Sequence, residues 1–332
     1  MSAESGKTGE VPAGNTSTTD EALGKHGDGK SELKVRMIFG PSMLLLIAGI
    51  YLLDSEVLEE MELGGRNLGG WATAAVLALL GFAGVHEYLT MLRNAGFAVA
   101  SRLLPITSGL LLTLPFWFGW DELDRELYPM VAAAFVLLFP IALDSLTRRG
   151  MTQGLEMMGA SMLGLIWVAW PMYIAQGIAI RHLPSVLFVV LVCKSGDIGA
   201  YFVGSFFGRR KLIPHISSGK TLEGAFGSVG ASVLVGVLLI GLLPVPDADL
   251  REAWYVSLDG EVARVSIAGA ALMSILLNLT TQTGDLIESL LKRRCGVKNS
   301  SNLLPAHGGV LDLIDSLLFS FPAFFWFLIV LT

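Results

Sequence analysis

Long runs of apolar residues alternate with short polar segments along most of the chain. The runs are about 17–25 residues long, the length of helix that crosses ~30 Å of hydrocarbon. Charged residues cluster in the segments between the runs. The nine runs lie at 37–53, 71–91, 103–120, 128–144, 157–175, 183–204, 224–243, 265–285 and 310–331. This pattern predicts an all-α polytopic integral membrane protein with about nine transmembrane helices.

The chain divides into three parts. Residues 1–33 are polar and nearly free of large apolar side chains, which predicts a disordered cytoplasmic tail. Residues 34–182 hold the N-terminal membrane helices, about five spans by length. Residues 183–332 hold the C-terminal helices, where most of the intramembrane carboxylates and the polar loops beside them lie.

Basic residues are distributed unequally between the two sets of loops. Outside the tail, one set holds 14 Lys and Arg, whereas the alternating set holds five and most of the acidic residues. Because basic loops remain in the cytoplasm, we expect a cytoplasmic N-terminus, an external C-terminus and a location in the inner (cytoplasmic) membrane.

Composition agrees with a membrane protein and excludes some partners. The 332 residues are 53% hydrophobic and 16% charged, against roughly 25% charged residues in an average soluble domain. The net charge of −6 lacks the basic excess typical of nucleic-acid-binding proteins. Cys193 and Cys295 lie in or beside different spans and lack the spacing of a metal site, so we expect both to be reduced.

Four acidic residues of the last spans should lie at similar depth near the cytoplasmic leaflet. Ionisable groups in a span are costly and indicate function. Unpaired carboxylates would repel one another and lose hydration, and oxygen-only ligands suit a hard ion such as Mg²⁺. The predicted site for Mg²⁺, alone or with a second cation, comprises Asp197, Asp285, Asp312 and Asp315.

Three other acidic residues in or near spans receive different interpretations. Asp144 and Glu156 flank a basic loop, so interfacial placement explains both. Glu87 follows His86 within a span, where a hydrogen-bonded structural pair and a role in the site are equally good explanations.

Basic loops border these carboxylates and predict a phosphate site. Lys292, Arg293 and Lys298 follow Asp285, and Gly308-Gly309 precedes the last span, where backbone N–H groups could approach an anion. A second basic loop, 208–224, contains Ser217, Lys220 and Thr221 but lacks the spacing of a P-loop. Positive-inside anchoring explains each basic cluster taken alone, but it does not explain why the clusters border all four carboxylates.

The C-terminal run resembles the signature of the phosphatidate cytidylyltransferase (CDP-diacylglycerol synthase) family. The matching residues are Ser289, Leu291, Lys292, Arg293, Lys298, Ser301, Leu304, Pro305, His307, Gly308, Gly309, Val310, Asp312 and Asp315. Two further blocks of that family are similar to Asp197, Ala200, Tyr201 and Gly204, and to Ser217, Lys220, Thr221, Glu223 and Gly224. The sequence departs from the pattern at Ser218, Asn299 and Leu313, where family members carry a proline, an acid and an Arg or Gln.

The resemblance implies the reaction of CTP with phosphatidate to give CDP-diacylglycerol and pyrophosphate, on the cytoplasmic side of the membrane. It implies Mg²⁺ held by Asp285, Asp312, Asp315 and Asp197. It implies catalytic roles for Lys292, Arg293 and His307. It implies substrate-binding roles for Ser217, Lys220, Thr221, Ser289, Lys298, Gly308 and Gly309.

Three alternative functions stay open at this level. An ion transporter would also carry buried carboxylates, although the repeated halves typical of many transporters are not visible in the sequence. A CTP-dependent polyprenol or phytol kinase would share the nucleotide and the membrane but transfer a different group. A catalytically inactive scaffold would be consistent with Asn299 and Leu313. A homodimer is compatible with all of these interpretations.

Overall fold

The computed structural model describes residues 47–63, 66–118, 136–147, 151–214, 216–242, 255–258, 261–304 and 308–331. These residues are mostly helical, as the hydropathy pattern predicts. The predicted disordered tail and His307 lie outside the described residues.

The N-terminal part, as far as the structure describes it, forms six helical elements and one short hairpin. They are α1 (47–52, continued by a π-helical turn at Leu53–Leu58), β1 (Glu62–Leu63), β2 (Arg66–Asn67), α2 (Trp71–Asn94), α3 (Leu103–Phe118), α4 (Val136–Thr147), α5 (Met151–Gly164) and α6 (Trp170–Arg181). A π-helical turn at Leu165–Ala169 joins α5 to α6 without a break, so the two form one long helix.

The described residues of the C-terminal part form four helices and two hairpins. They are α7 (Leu183–Phe207), β3 (Lys211–Ile213), β4 (Ser217–Thr221), α8 (Leu222–Val237, continued by a π-helical turn at Leu238–Leu242), β5 (Tyr255–Leu258), β6 (Glu261–Arg264), α9 (Ile267–Arg294) and α10 (Val310–Leu331). Both hairpins are antiparallel, and Lys211 pairs with Thr221 in the first.

The short hairpins were not predicted from the sequence, although the described residues are mostly helical as expected. Their strands are two to five residues long and lie in polar connections between helices. Such short segments show no alternation of apolar and polar positions that could indicate a strand.

Among the described residues, five helices are long and apolar enough to cross a membrane, which supports an integral membrane protein. They are Trp71–Asn94, Thr152–Arg181, Leu183–Phe207, Leu222–Ile240 and Val310–Leu328. The other predicted spans overlap α1, α3, α4 and α9. Within the described residues, the first three of these are shorter than a span, and α9 has a polar end.

Close helix packing gives the bundle its core. Gly81 of α2 lies against Met172 of α6, and Gly84 of α2 lies against Ile314 of α10. Helices α7 and α8 also make extensive contact, with Gly199 against Ala231. Small residues let helix backbones approach closely where lipid offers no hydrophobic driving force for association.

A carboxylate stabilises the beginning of α2. Asp54, fully buried at the end of α1, accepts hydrogen bonds from the N–H groups of Ala72 (2.9 Å) and Thr73 (2.7 Å) and from the Thr73 hydroxyl. These N–H groups belong to the first turn of the helix and have no acceptor within it. The contact therefore fixes α1 against α2.

Candidate active site

A polar cavity of about 790 Å³ lies at the end of the bundle where α7 and α9 finish and α8 and α10 begin. The β3–β4 hairpin covers part of it. The cavity brings together seven of the residues predicted from the sequence, namely Asp197, Lys220, Thr221, Asp285, Lys292, Asp312 and Asp315.

Three carboxylates form the most compact acidic cluster among the described residues. Asp285, Glu288 and Asp315 each place an oxygen within 4.8 Å of the others. Asp285 and Glu288 are three residues apart on α9 and therefore share one helix face. Glu288 is fully buried and Asp315 is almost so. This all-oxygen set fits a hard divalent cation such as Mg²⁺.

Two lysines compensate part of this negative charge. Lys220 of the hairpin lies 2.5 Å from Asp285, and Lys292 of α9 lies 2.5 Å from Glu288 and 2.6 Å from Asp312. The ammonium groups therefore reach the cavity from two different elements. Each of these lysines is placed so that its ammonium group can leave its carboxylate partner and contact a phosphate oxygen of a ligand instead.

Asp312 lines the cavity but lies outside the three-carboxylate cluster, and its role as a metal ligand stays a prediction. Its Oδ1 pairs with Lys292. Its Oδ2 accepts from the Ser300 N–H (2.8 Å), the Ser300 hydroxyl (2.9 Å) and the Gly309 N–H (2.7 Å). Because both oxygens already have partners, Asp312 holds Lys292 and the preceding loop, and Glu288 takes the third position in the cluster.

Asp197 is also outside the cluster. It lies 3.4 Å from Lys194 on the preceding turn of α7, and its side chain is 45% exposed. Lys194 also donates to the Leu313 carbonyl (3.4 Å) and the Ser316 hydroxyl (3.1 Å), so it links α7 to α10. The sequence analysis missed Lys194, although a lysine three residues before an intramembrane aspartate is a usable signal.

Gly308 and Gly309, for which anion binding stays a prediction, lie against Asp312. Gly308 has φ +92°, and a Cβ on it would lie 2.6 Å from Asp312 Oδ2. The Gly309 N–H is bound to that carboxylate, and the Gly308 N–H donates to the Leu304 carbonyl. The two glycines allow the loop to fold tightly onto Asp312, so these N–H groups do not face the cavity as free donors.

The β3–β4 hairpin carries the second predicted block. Thr221 caps α8, because its hydroxyl oxygen accepts from the Gly224 N–H at 3.1 Å. Glu223 accepts from the N–H groups of Arg209 and Arg210 and thereby fixes the connection between α7 and β3. Ser217 begins β4 opposite Ile213 and does not line the cavity.

The remaining predicted residues lie around the polar end of α9. The Ser289 hydroxyl is 3.4 Å from Asp285. Arg293 and Lys298 are exposed and do not line the cavity. Of the departures from the family pattern, Asn299 lines the cavity beside Gly308, and the Leu313 carbonyl accepts from Lys194.

Fold and site together define an integral membrane protein with a phosphate-compatible, cation-compatible cavity at one end of its helices. The chain belongs to the cytidylyltransferase family, whose profile matches residues 64–331.

Three relatives are named phosphatidate cytidylyltransferase. The protein of Synechocystis sp. is 31% identical over 290 residues, which cover 80% of this chain and 90% of the relative. That of Bacillus subtilis is 34% identical over 291 residues, covering 82% and 99%. That of Pseudomonas aeruginosa is 32% identical over 300 residues, covering 88% and 95%.

Proposed function

We propose that this chain is a membrane-embedded phosphatidate cytidylyltransferase, which converts CTP and phosphatidate to CDP-diacylglycerol and pyrophosphate. The observation that carries the proposal is the cluster of Asp285, Glu288 and Asp315, the last two of them buried, with Lys220 and Lys292 beside it. Family membership supports the same reaction.

The reaction requires alignment and charge neutralisation more than a protein nucleophile. A phosphate oxygen of phosphatidate attacks the α-phosphorus of CTP, the bond between the α-phosphorus and its bridging oxygen breaks, and pyrophosphate leaves. Both reactants are anionic, so bringing them together and stabilising the charge of the transition state are the main tasks of the site.

The residues of the cavity divide these tasks. Asp285, Glu288 and Asp315 would hold Mg²⁺, which when bound neutralises phosphate charge. Lys220 and Lys292 orient phosphate oxygens, and Asp312 holds the Lys292 ammonium in place.

The remaining predicted residues have supporting roles at the rim. Arg293 and Lys298, both exposed, attract the nucleotide, and Ser289 orients Asp285. Substrate contacts of Ser217, Thr221 and His307 stay predictions.

The site belongs on the cytoplasmic side of an inner membrane that the chain crosses nine times, with the N-terminus in the cytoplasm. The excess of basic residues in one set of loops supports this orientation. Water-soluble CTP then meets a lipid phosphate whose acyl chains stay in the bilayer. A homodimer stays a prediction.

Purified protein in phosphatidate-containing micelles, supplied with Mg²⁺ and CTP, tests the function. We expect a label in the cytosine ring to enter the lipid and a label on the γ-phosphate to appear as pyrophosphate. Asp285→Asn is the matched inactive control, because an amide is a poorer, neutral ligand. Transfer of the γ-label to lipid would instead identify a kinase, and no lipid product with either label would exclude the enzyme.

A further inference from the structure

Glu87 connects the N-terminal helices to the loop beside the active site. It lies on α2 and is 6% exposed. Its carboxylate accepts from the hydroxyls of Ser300 (2.8 Å) and Ser301 (2.7 Å). It also accepts from the N–H groups of Val310 (2.9 Å) and Leu311 (2.8 Å).

This contact stabilises the first turn of α10. The N–H groups of Val310 and Leu311 have no acceptor within the helix, and a carboxylate at a helix N-terminus is favourable. Asp54 performs the same task for α2, through the N–H groups of Ala72 and Thr73. The contacts of Glu87 continue into the cavity.

Ser300 connects Glu87 to Asp312. Its hydroxyl lies 2.8 Å from Glu87 Oε2 and 2.9 Å from Asp312 Oδ2. Asp312 pairs with Lys292, which pairs with Glu288 of the carboxylate cluster. Polar contacts therefore run without a gap from α2 to the proposed cation site.

Gly309 provides the space for this arrangement. A Cβ at position 309 would collide with the Ser300 hydroxyl and with Glu87 Oε2. The second glycine of the Gly308-Gly309 pair therefore admits a carboxylate from a distant helix, which is a separate requirement from the turn at Gly308.

We propose that Glu87 is a positioning residue for cytidylyl transfer. It fixes Ser300 and the start of α10, and through them it sets the position of Asp312 and Lys292. The inference rests on the proposed function, because Lys292 is assigned there to phosphate oxygens. A displacement of about 1 Å at a catalytic group can cost roughly 100-fold in rate.

Glu87→Gln tests this positioning role, because it removes the carboxylate and nearly preserves the side-chain volume. An amide nitrogen cannot accept from the N–H and hydroxyl donors that surround this carboxylate. We expect faster amide hydrogen exchange at Val310 and Leu311, a kcat lowered roughly 10- to 100-fold, and a KM for CTP within about threefold of wild type. Unchanged exchange and unchanged kcat would overturn the proposal.

Ser300→Ala and Ser301→Ala form a matched pair. Each removes one hydroxyl from Glu87, but only Ser300 also contacts Asp312. We expect Ser300→Ala to lower kcat as Glu87→Gln does and Ser301→Ala to retain most of the wild-type kcat. Equal kcat values for the two variants would show that Glu87 holds the loop without positioning Lys292.

The exchange measurement separates this proposal from the proposed function. If the wild-type protein forms no CDP-diacylglycerol, the proposed function is refuted. If amide hydrogen exchange at Val310 and Leu311 is normal in Glu87→Gln, the positioning role of Glu87 is refuted, whichever product the enzyme forms. If Glu87→Gln does not fold, the two serine variants carry the test alone.

Discussion

At the residue scale, the cavity combines carboxylates with ammonium groups. Lys220 pairs with Asp285, Lys292 pairs with Glu288 and Asp312, and Lys194 pairs with Asp197. Buried carboxylates that lie close together repel one another, and the proposed Mg²⁺ would relieve this repulsion.

Glu288→Gln tests the cluster directly. Loss of one ligand charge should raise the Mg²⁺ concentration for half-maximal rate by roughly tenfold or more, as measured from rate against free Mg²⁺. Asp312→Asn should lower kcat without this shift, because Asp312 holds Lys292. Glu156→Gln, exposed and distant from the cavity, is the control. An equal shift in Asp312→Asn would restore Asp312 to the metal site.

The sequence analysis predicted the helices that form the site more accurately than it predicted the individual residues of the carboxylate cluster. Asp285 and Asp315 are in the cluster as expected, because helix period and span direction determine their depth. Asp312 is not, because its oxygens are bound by Lys292, Ser300 and Gly309, and the sequence does not reveal the path of the loop that brings Ser300 to it. Glu288 could have been found, since it lies one turn after Asp285 and one turn before Lys292.

At the scale of elements, the β3–β4 hairpin delivers Lys220 to the carboxylates. Its strands are too short for a hydrophobic period, so the sequence indicated a polar loop but not a hairpin. Glu223 fixes the hairpin to the end of α7 through the N–H groups of Arg209 and Arg210. Because β4 leads directly into α8 and Glu223 of α8 binds the residues that precede β3, the start of α8 holds both ends of the hairpin.

Glu223→Ala should loosen this connection. We expect the KM for CTP to rise several-fold, on the order of a lost hydrogen-bonding contact, while kcat stays close to wild type, because the carboxylate cluster is unaffected. Steady-state kinetics at saturating Mg²⁺ measure both constants, with Glu156→Ala as the control. A fall in kcat with unchanged KM would place Glu223 in the chemistry instead.

At the scale of the whole molecule, α9 runs from the β5–β6 hairpin to the loop of the candidate active site. It has 28 residues, which is about 42 Å at 1.5 Å per residue. The β5–β6 hairpin lies before its first residue and the site loop after its last. The two connections therefore lie at opposite ends of the bundle, and basic residues are concentrated at the end with the site.

Cysteine labelling in intact cells tests which end faces the cytoplasm. In a chain with Cys193→Ala and Cys295→Ser, we introduce Asp259→Cys in the β5–β6 connection or Lys298→Cys in the site loop. Asp259→Cys should react with an impermeant thiol reagent, because the positive-inside rule places that end outside. Lys298→Cys should react only after the membrane is permeabilised, which also controls for its accessibility. The reverse pattern would invert the topology and separate the proposed site from cytoplasmic CTP.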